Sequence, residues 1–264
     1  MSLRARLQGA LPVTAPLVLN PLMARMVEAA GFPAGYLGGG ASGYAKVALE
    51  ANLNLTEMCQ AALDIRAVSS LPLILDGACG YGDPMHMHRT VGMAEAAGFA
   101  AIEIEDQLVP KRAHHHVGIE HMIPIELMAA KVKEAVAARR SSDFLIVGRT
   151  NAMRASDMDD ALRRGEAYRR AGADLVLLSM AHRAGSGLTL KDLGGLGYKI
   201  VADPSTPLLA AFVAWKKVYA DLAQDFGSAQ PKTDWSPVEH EMLKVIDIEK
   251  LLAVERATVE KGQA

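Results

Sequence analysis

A short phrase recurs three times along the chain: a helical pattern ends at a glycine and is followed at once by a short apolar run. The three copies end at Gly31, Gly98 and Gly172. Glycine adopts the left-handed conformation that ends many helices, so each copy indicates the end of a helix and the start of a strand. Repeated units of this kind predict an alternating α/β architecture with a parallel sheet.

The hydrophobic pattern extends this rhythm over most of the chain. It predicts strands near 14–18, 34–38, 71–76, 100–105, 144–149, 174–178 and 198–202. It predicts helices near 21–30, 55–69, 86–97, 124–139, 157–171 and 207–223. Seven strands, with an eighth that the pattern does not resolve, favour a (βα)8 TIM-type barrel over an open doubly wound sheet. We expect one domain over 1–264, in which 234–264 is a C-terminal helical extension.

Composition limits the classes of partner. The formal net charge is -2, so no electrostatic argument favours nucleic acid or an anionic membrane surface. No apolar run approaches the length of a membrane span or of a signal peptide. Cys59 and Cys79 form neither a metal-ligand spacing nor a disulfide framework. We therefore expect a cytoplasmic protein whose partner is a small molecule.

Carboxylates follow two of the predicted strands. Asp76 ends the run LPLILD and Glu105 ends AAIEIE. In a βα-barrel the active site lies at the C-terminal ends of the strands, where these two side chains could jointly hold a hard divalent cation. Either residue alone could instead cap the following helix. Together they predict a Mg2+ site, with Mn2+ as an alternative.

An arginine and a glycine run follow two other strands. Arg149 ends FLIVGR and could bind a carboxylate or phosphonate with two hydrogen bonds, or could form a structural salt bridge. Gly38, Gly39 and Gly40 follow the second predicted strand, where their N–H groups could approach an anionic oxygen. A tight turn would explain the glycines equally well.

The stretch EDQLVPKRAHHHVG is long and polar and follows a strand, which predicts a mobile loop over the site. Lys111 and Arg112 would bring positive charge to an anionic substrate. His114, His115 and His116 offer groups that exchange protons near neutral pH. Adjacent histidines cannot all face one point, so we expect at least one of them to be solvated.

These motifs resemble those of the isocitrate lyase and phosphoenolpyruvate mutase superfamily. The similar segments are YLGGGASGY, LILDGACGYGDP, IEIEDQLVPKRAHHH and VGRTNA. They occur in the family's order and spacing over roughly residues 14–210. The resemblance implies a barrel whose eighth helix is exchanged between subunits, as a dimer or a dimer of dimers. It also implies Mg2+ holding a pyruvate-like enolate beneath a gating loop.

The resemblance assigns roles by position. It implies metal-shell carboxylates at Asp76 and Glu105, a substrate-carboxylate binder at Arg149, substrate contacts at Tyr36, Gly39 and Gly40, and loop residues Lys111, Arg112 and His115. Glu50 could supply a further upstream acid. The chain also departs from the family pattern: Ala113 replaces the cysteine that protonates the departing enolate, His114 replaces a glycine, Ala78 and Asn151 replace aspartates, and Ser179 replaces a glutamate.

The combined pattern favours a Mg-dependent carbon–carbon lyase or decarboxylase that acts on a small 2-oxo or 2-hydroxy acid through a pyruvate-type enolate. Cleavage of an isocitrate-like substrate needs an acid that Ala113 cannot supply, although His114 or His115 could replace it. Decarboxylation of a 2-oxo diacid needs no such acid, because CO2 leaves without a proton and the enolate needs only the metal, Arg149 and backbone donors. The alternatives are a phosphonopyruvate mutase or hydrolase, and a barrel that binds a small acid without turnover.

Overall fold

The computed structural model describes residues 1–178, 187–226 and 234–260. Its strands are β1 (Val13–Pro16), β2 (Gly35–Leu37), β3 (Leu73–Asp76), β4 (Ala101–Glu105), β5 (Leu145–Thr150), β6 (Leu175–Leu178) and β7 (Ile200–Asp203). Its α-helices are α1 (Leu3–Arg6), α2 (Pro21–Ala29), α3 (Gly39–Ala45), α4 (Leu55–Arg66), α5 (Met87–Ala96), α6 (Ile125–Ala138), α7 (Ala152–Ala155), α8 (Met158–Arg170), α9 (Leu190–Gly195), α10 (Thr206–Asp225), α11 (Ser236–Val245) and α12 (Ile248–Ala257).

All strand pairs are parallel and follow the chain order. Strands β2 to β6 form one ladder, β1 pairs with β7, and a bridge between Leu17 and Tyr36 connects β1 to the start of the ladder. The first strand therefore lies between the second and the last, which is the closure that a βα-barrel requires. The predicted barrel fold is confirmed, and the part of the chain that the structure describes contains the seven strands that the sequence predicts.

The glycines that end the helices have the predicted backbone conformation. Gly31, Gly98 and Gly172 have φ values of +80°, +84° and +105°, and each lies between a helix and the strand that follows it. Side chains are costly in this region, so glycine lets the chain turn directly from helix to strand. This turn repeats the βα unit around the barrel.

Two apolar layers hold the barrel together. One lies inside the barrel and is formed by inward-facing strand residues that include Val13, Ala15, Ile74, Ala101 and Leu145. The other lies between the outer face of the sheet and the surrounding helices, and includes Leu73, Leu75, Ile102, Ile104 and Ile146. The alternation along each strand thus separates an interior layer from an exterior one. Polar residues replace the interior layer towards the C-terminal ends of the strands.

The C-terminal helices contribute little to these layers. Helix α10 leaves Phe212, Trp215 and Tyr219 exposed by 56%, 50% and 69%. Helix α11 touches the barrel through Arg25, whose Nε donates to the carbonyl oxygen of Val245 at 3.3 Å. No described helix combines the length and the apolar character needed to cross a bilayer.

Candidate active site

Asp76 lies at the end of β3 and is held by two backbone amides. Its Oδ2 accepts a hydrogen bond from the N–H of Gly39 at 3.0 Å, and its Oδ1 accepts one from the N–H of Ala78 at 3.1 Å. The side chain is only 6% exposed. Ala78 has a φ of +45°, so the turn after β3 takes a left-handed conformation to point its amide at this carboxylate. Asp76 is therefore fixed at the mouth of the barrel.

The three glycines form the start of α3. Gly38 is the N-cap residue, and Gly39 and Gly40 begin the helix. A Cβ atom on Gly39 would lie 2.5 Å from Cγ of Glu50, so this position must be glycine for Glu50 to enter the site. Because the N–H of Gly39 already donates to Asp76, it is not directed at a ligand. The glycine run therefore positions two carboxylates.

The ammonium group of Lys111 lies between two carboxylates. Its Nζ is 2.8 Å from Oε2 of Glu50 and forms a second, short ion pair with Oε1 of Glu105. The Lys111 side chain is 4% exposed. Burial and the neighbouring Asp76 raise the pKa of Glu50. Burial acts in the same direction on Glu105, but Arg149 and Lys111 outweigh it and hold the pKa of that carboxyl well below its ordinary range.

The guanidinium group of Arg149 joins three polar side chains of the barrel. Its NH1 donates to Oε1 of Glu103 at 2.7 Å, and its NH2 donates to Oδ1 of Asn151 at 3.3 Å. Its Nε is 3.5 Å from Oε2 of Glu105. Asn151 completes the set by donating from Nδ2 to the same oxygen of Glu105 at 2.8 Å. The register explains the grouping, because Glu105 and Arg149 are direct partners on β4 and β5.

Glu103 and Tyr36 form a polar layer below Glu105 and Arg149. The hydroxyl of Tyr36 donates to Oε2 of Glu103 at 3.2 Å, and the two residues are 4% and 2% exposed. Burial, opposed by the guanidinium of Arg149, raises the pKa of Glu103 to about 7. Glu103 was not predicted as a site residue. The alternation in AIEIE places it on the same face as Glu105, and that signal could have identified it.

The loop after β4 contributes Lys111 to this cluster and places three other predicted residues elsewhere. Arg112 and His114 are exposed. The Nδ1 atom of His115 lies 2.7 Å from Oε2 of Glu120, whose side chain has no exposed surface. Arg154 contacts the other oxygen of Glu120 at 2.9 Å. Glu120, which the sequence pattern did not indicate, thus binds two side chains and holds His115 away from the carboxylate cluster of the site.

The charges of the site also act on His116 of the same loop. Burial, together with the neighbouring His115 and the positive charge of Lys111, lowers the pKa of His116, while Glu105 acts in the opposite direction. The lowered pKa favours the neutral form of this imidazole. Ala113, at the position of the family's cysteine, is exposed on the same loop.

The residues fit a hydrated divalent cation. Four buried carboxylates, those of Glu50, Asp76, Glu103 and Glu105, face two cationic side chains and leave a formal excess of two negative charges. Within the described part of the chain, Oε1 of Glu50 is buried without a hydrogen-bond partner. The ammonium of Lys111 already stands between two of the carboxylates as a monovalent cation.

The described residues do not form a compact set of direct metal ligands. Among the described residues, no three histidine, cysteine or acidic side chains converge as they would around a directly coordinated metal ion. Mg2+ usually keeps several waters and contacts only one or two protein carboxylates, so the arrangement remains compatible with this ion. Ser179, at the position of a further family acid, lies outside the described residues.

The arrangement can bind a small anion and stabilise negative charge that develops on it. Arg149 offers a planar, charged donor, and Lys111 offers a second positive charge a few ångströms away, both in a water-poor barrel mouth. Charges and hydrogen bonds act strongly in such surroundings. Enolate and carboxylate oxygens are the groups that these donors suit.

Comparisons with known proteins agree with this geometry. A 2,3-dimethylmalate lyase of Eubacterium barkeri is 32% identical over 242 residues, which cover 81% of this chain and 82% of that protein. An oxaloacetate decarboxylase of Paraburkholderia xenovorans (strain LB400) is 37% identical over 168 residues, 63% of this chain and 56% of that protein. This chain therefore matches little more than half the length of the decarboxylase.

A solved structure has the same fold over the whole chain. A phosphonopyruvate hydrolase in complex with oxalate and Mg2+ superposes with a TM-score of 0.83 and 28% identity, covering 98% of this chain and 100% of that chain. Residues 3–219 match the family described as phosphoenolpyruvate phosphomutase. The predicted resemblance is confirmed: this chain belongs to the phosphoenolpyruvate phosphomutase family.

Proposed function

We propose that the protein is a Mg-dependent carbon–carbon lyase or decarboxylase that acts on a small 2-oxo or 2-hydroxy acid through a pyruvate-type enolate. The observation that carries the proposal is the convergence of Arg149 and Lys111 on Glu105 at the mouth of the barrel, beside Asp76. Positive donors and metal-type carboxylates are thereby brought together where barrel enzymes bind their substrates. The relatives named as lyases and decarboxylases support this choice.

The side chains of the site have two roles, which are substrate binding and charge stabilisation. Arg149 binds the carboxylate of the substrate, and Lys111 places positive charge beside the oxygen that becomes the enolate. Asp76 and Glu105 would hold Mg2+, with Glu50 as a further carboxylate beside it. When bound, the ion acts as a Lewis acid that stabilises negative charge on the 2-oxo oxygen. Tyr36 completes the floor of the pocket.

Decarboxylation is the reaction that these residues serve best. Retro-aldol cleavage needs a general acid at the carbon that leaves as a carbanion, and neither Ala113 nor a His115 held by Glu120 supplies one in this arrangement. Loss of CO2 leaves the electron pair of the broken C–C bond on the enolate, whose charge Arg149 and Lys111 stabilise, without a general acid of the protein. The enolate then takes a proton from water to give pyruvate. We therefore place oxaloacetate-like 2-oxo diacids first among the substrates.

Phosphonate chemistry is the second candidate. The specific observation that favours it is the likeness, over the whole chain, to a phosphonopyruvate hydrolase that binds oxalate and Mg2+. A strand-end arginine such as Arg149 suits a phosphonate as well as a carboxylate.

We further propose that the chain acts as one barrel domain over 1–264 within a cytoplasmic homo-oligomer, a dimer of dimers, in which the C-terminal helical part is exchanged between subunits. The exposed aromatic residues of α10 support this, because a large apolar surface on one helix marks an interface. Removal of residues 234–264 should then give smaller assemblies in sedimentation. A truncated protein that sediments as the parent assembly does would contradict the exchange.

The test of the activity is pyruvate formation from a panel of oxaloacetate, 2-methylisocitrate, 2,3-dimethylmalate and phosphonopyruvate, with Mg2+ and with EDTA. We expect turnover of oxaloacetate that EDTA abolishes. Arg149→Lys should lower kcat/KM about 100-fold, since a lysine cannot bind a carboxylate with two parallel hydrogen bonds. The matched control is Arg169→Lys, at an exposed position of α8, which should leave kcat/KM unchanged.

The pattern of turnover selects between the candidates. Turnover of phosphonopyruvate alone would replace the decarboxylase with the phosphonate enzyme. No turnover of any compound, or turnover that EDTA does not affect, would contradict the proposal.

A further inference from the structure

Glu103 is a buried carboxylate of the barrel mouth that the proposed reaction does not use. Its side chain points inward from the middle of β4, one inward-facing position below Glu105. Below it the barrel is filled by the apolar interior layer, so Glu103 and Tyr36 form the polar floor of the pocket beneath Glu105 and Arg149. A charged group at the floor of a pocket affects which ligands the pocket accepts.

The second feature is the hydrogen bonding of Arg149. Its NH1 donates to Oε1 of Glu103 at 2.7 Å, and the same guanidinium contacts Glu105 through Nε at 3.5 Å. A ligand carboxylate that binds Arg149 must therefore share the guanidinium with Glu103. Two carboxylates on one guanidinium repel each other unless something else separates them.

We propose that Glu103 is a positioning residue that sets substrate specificity through Arg149. By holding NH1, it limits the positive charge that Arg149 offers at the floor of the pocket. It thus disfavours a second anionic group beside Arg149 at the floor of the pocket. A diacid that binds Arg149 through one carboxylate must therefore direct its second anionic group away from Glu103, towards the mouth of the barrel. This inference rests on the proposed function and narrows its substrate class.

A matched pair of small ligands tests the selection without any turnover. Oxalate and oxamate have nearly the same shape, but oxalate carries two negative charges whereas oxamate carries one and has an amide N–H donor in place of the second. Successive inward-facing positions on a strand are about 7 Å apart. Repulsion between charges at this spacing is sufficient to change affinity about tenfold in a partly screened site.

The experiment measures the dissociation constants of both ligands by calorimetry for the full-length protein with Mg2+, in buffer at about pH 8. Glu103→Gln keeps the shape and the hydrogen-bond acceptor but removes the charge. We expect the affinity for oxalate, relative to that for oxamate, to rise about tenfold in this variant. Glu103→Met, which removes the charge at similar volume, should shift the ratio in the same direction. Glu126→Gln, at an exposed position of α6, is the matched control and should leave the ratio unchanged.

The outcomes separate this inference from the proposed function. If both ligands bind the unmodified protein and the ratio does not change in either variant, the inference is overturned while the proposed function stands. Equal weakening of both ligands would assign Glu103 a purely structural role and would also overturn it. If neither ligand binds the unmodified protein with Mg2+, the proposed function fails, and the inference fails with it.

Discussion

The buried ammonium of Lys111 allows the charge balance of the site to be tested directly. Lys111→Met removes the positive charge and keeps an unbranched apolar chain of similar length. In the metal-free protein this leaves Glu50 and Glu105 facing each other without the cation that now lies between them. The ammonium is almost completely buried, so water cannot take its place without rearrangement. We expect a large loss of stability that depends on pH.

The size of the loss follows from the burial of the pair. Breaking a buried ion pair by removing one partner costs about 3–5 kcal/mol. The pKa of Glu50 is already raised from 4.5 to about 8. A carboxyl with a raised pKa binds a proton in the folded state that it releases on unfolding, so between these two values stability falls as the pH rises. Protonation of Glu50 relieves part of the repulsion at lower pH. We therefore expect losses of about 3 kcal/mol near pH 6 and about 4 kcal/mol near pH 9.

Urea denaturation in the presence of EDTA measures these losses, and repetition with Mg2+ measures how far the ion replaces the ammonium. Mg2+ should stabilise Lys111→Met more than it stabilises the unmodified protein, because the variant has no ammonium to compete for the carboxylates. Lys133→Met, at an exposed position of α6, is the control and should change stability by less than about 0.5 kcal/mol. Losses that are equal for the two variants, or that do not grow with pH, would show that Lys111 does not balance the charge of these carboxylates.

Three further changes test separate parts of the site. Gly39→Ala places a Cβ atom 2.5 Å from Cγ of Glu50. It should lower the free energy of unfolding by about 1–3 kcal/mol in thermal denaturation and weaken Mg2+ binding. Normal Mg2+ binding would contradict the assigned role of the glycine. Tyr168→Phe removes a hydroxyl that donates to buried Asp106 at 2.6 Å. The free energy of unfolding in urea should fall by about 1–3 kcal/mol while kcat stays within about twofold. An unchanged urea midpoint would show that water replaces the hydrogen bond. Ala113→Cys should raise any weak cleavage of 2-methylisocitrate measured as pyruvate release, and no change would mean that another residue is the acid.

The order of strands and helices could be predicted from the sequence because the signals are local. Gly31, Gly98 and Gly172 end helices with positive φ, as the repeated phrase predicts. Apolar alternation then places Asp76 and Glu105 at strand ends, where parallel pairing brings them to one edge of the barrel. Periodicity and backbone conformation are properties of short segments, and this is why they can be recognised without the fold.

Side-chain partners at the site could not be predicted in the same way. Gly39 was expected to direct its amide at an anionic ligand, but the amide donates to Asp76, and the glycine instead allows Glu50 to approach. Glu50 and Asp76, which lie 11 and 37 positions further along the chain, determine these contacts, and no local sequence pattern predicts them. The direction of a glycine amide depends on how the turn packs against its neighbours.

The loop histidines illustrate a second reason. His114 and His115 were both expected near the reacting groups, yet His114 is exposed and His115 lies against Glu120. Consecutive residues of an irregular loop have no fixed period, so a sequence cannot tell which of them faces the site. His116, the next residue, is the histidine whose pKa responds to Lys111 and Glu105.

The most direct test of the proposed cation site is a titration of the protein with Mn2+, followed by electron paramagnetic resonance, with and without oxalate as an enolate mimic. We predict one saturable Mn2+ site per chain, tighter binding when oxalate is present, and loss of the site in Glu105→Gln. No saturable binding under either condition, or the same binding in Glu105→Gln, would contradict the claim that these buried carboxylates hold the cation of an enolate-forming enzyme.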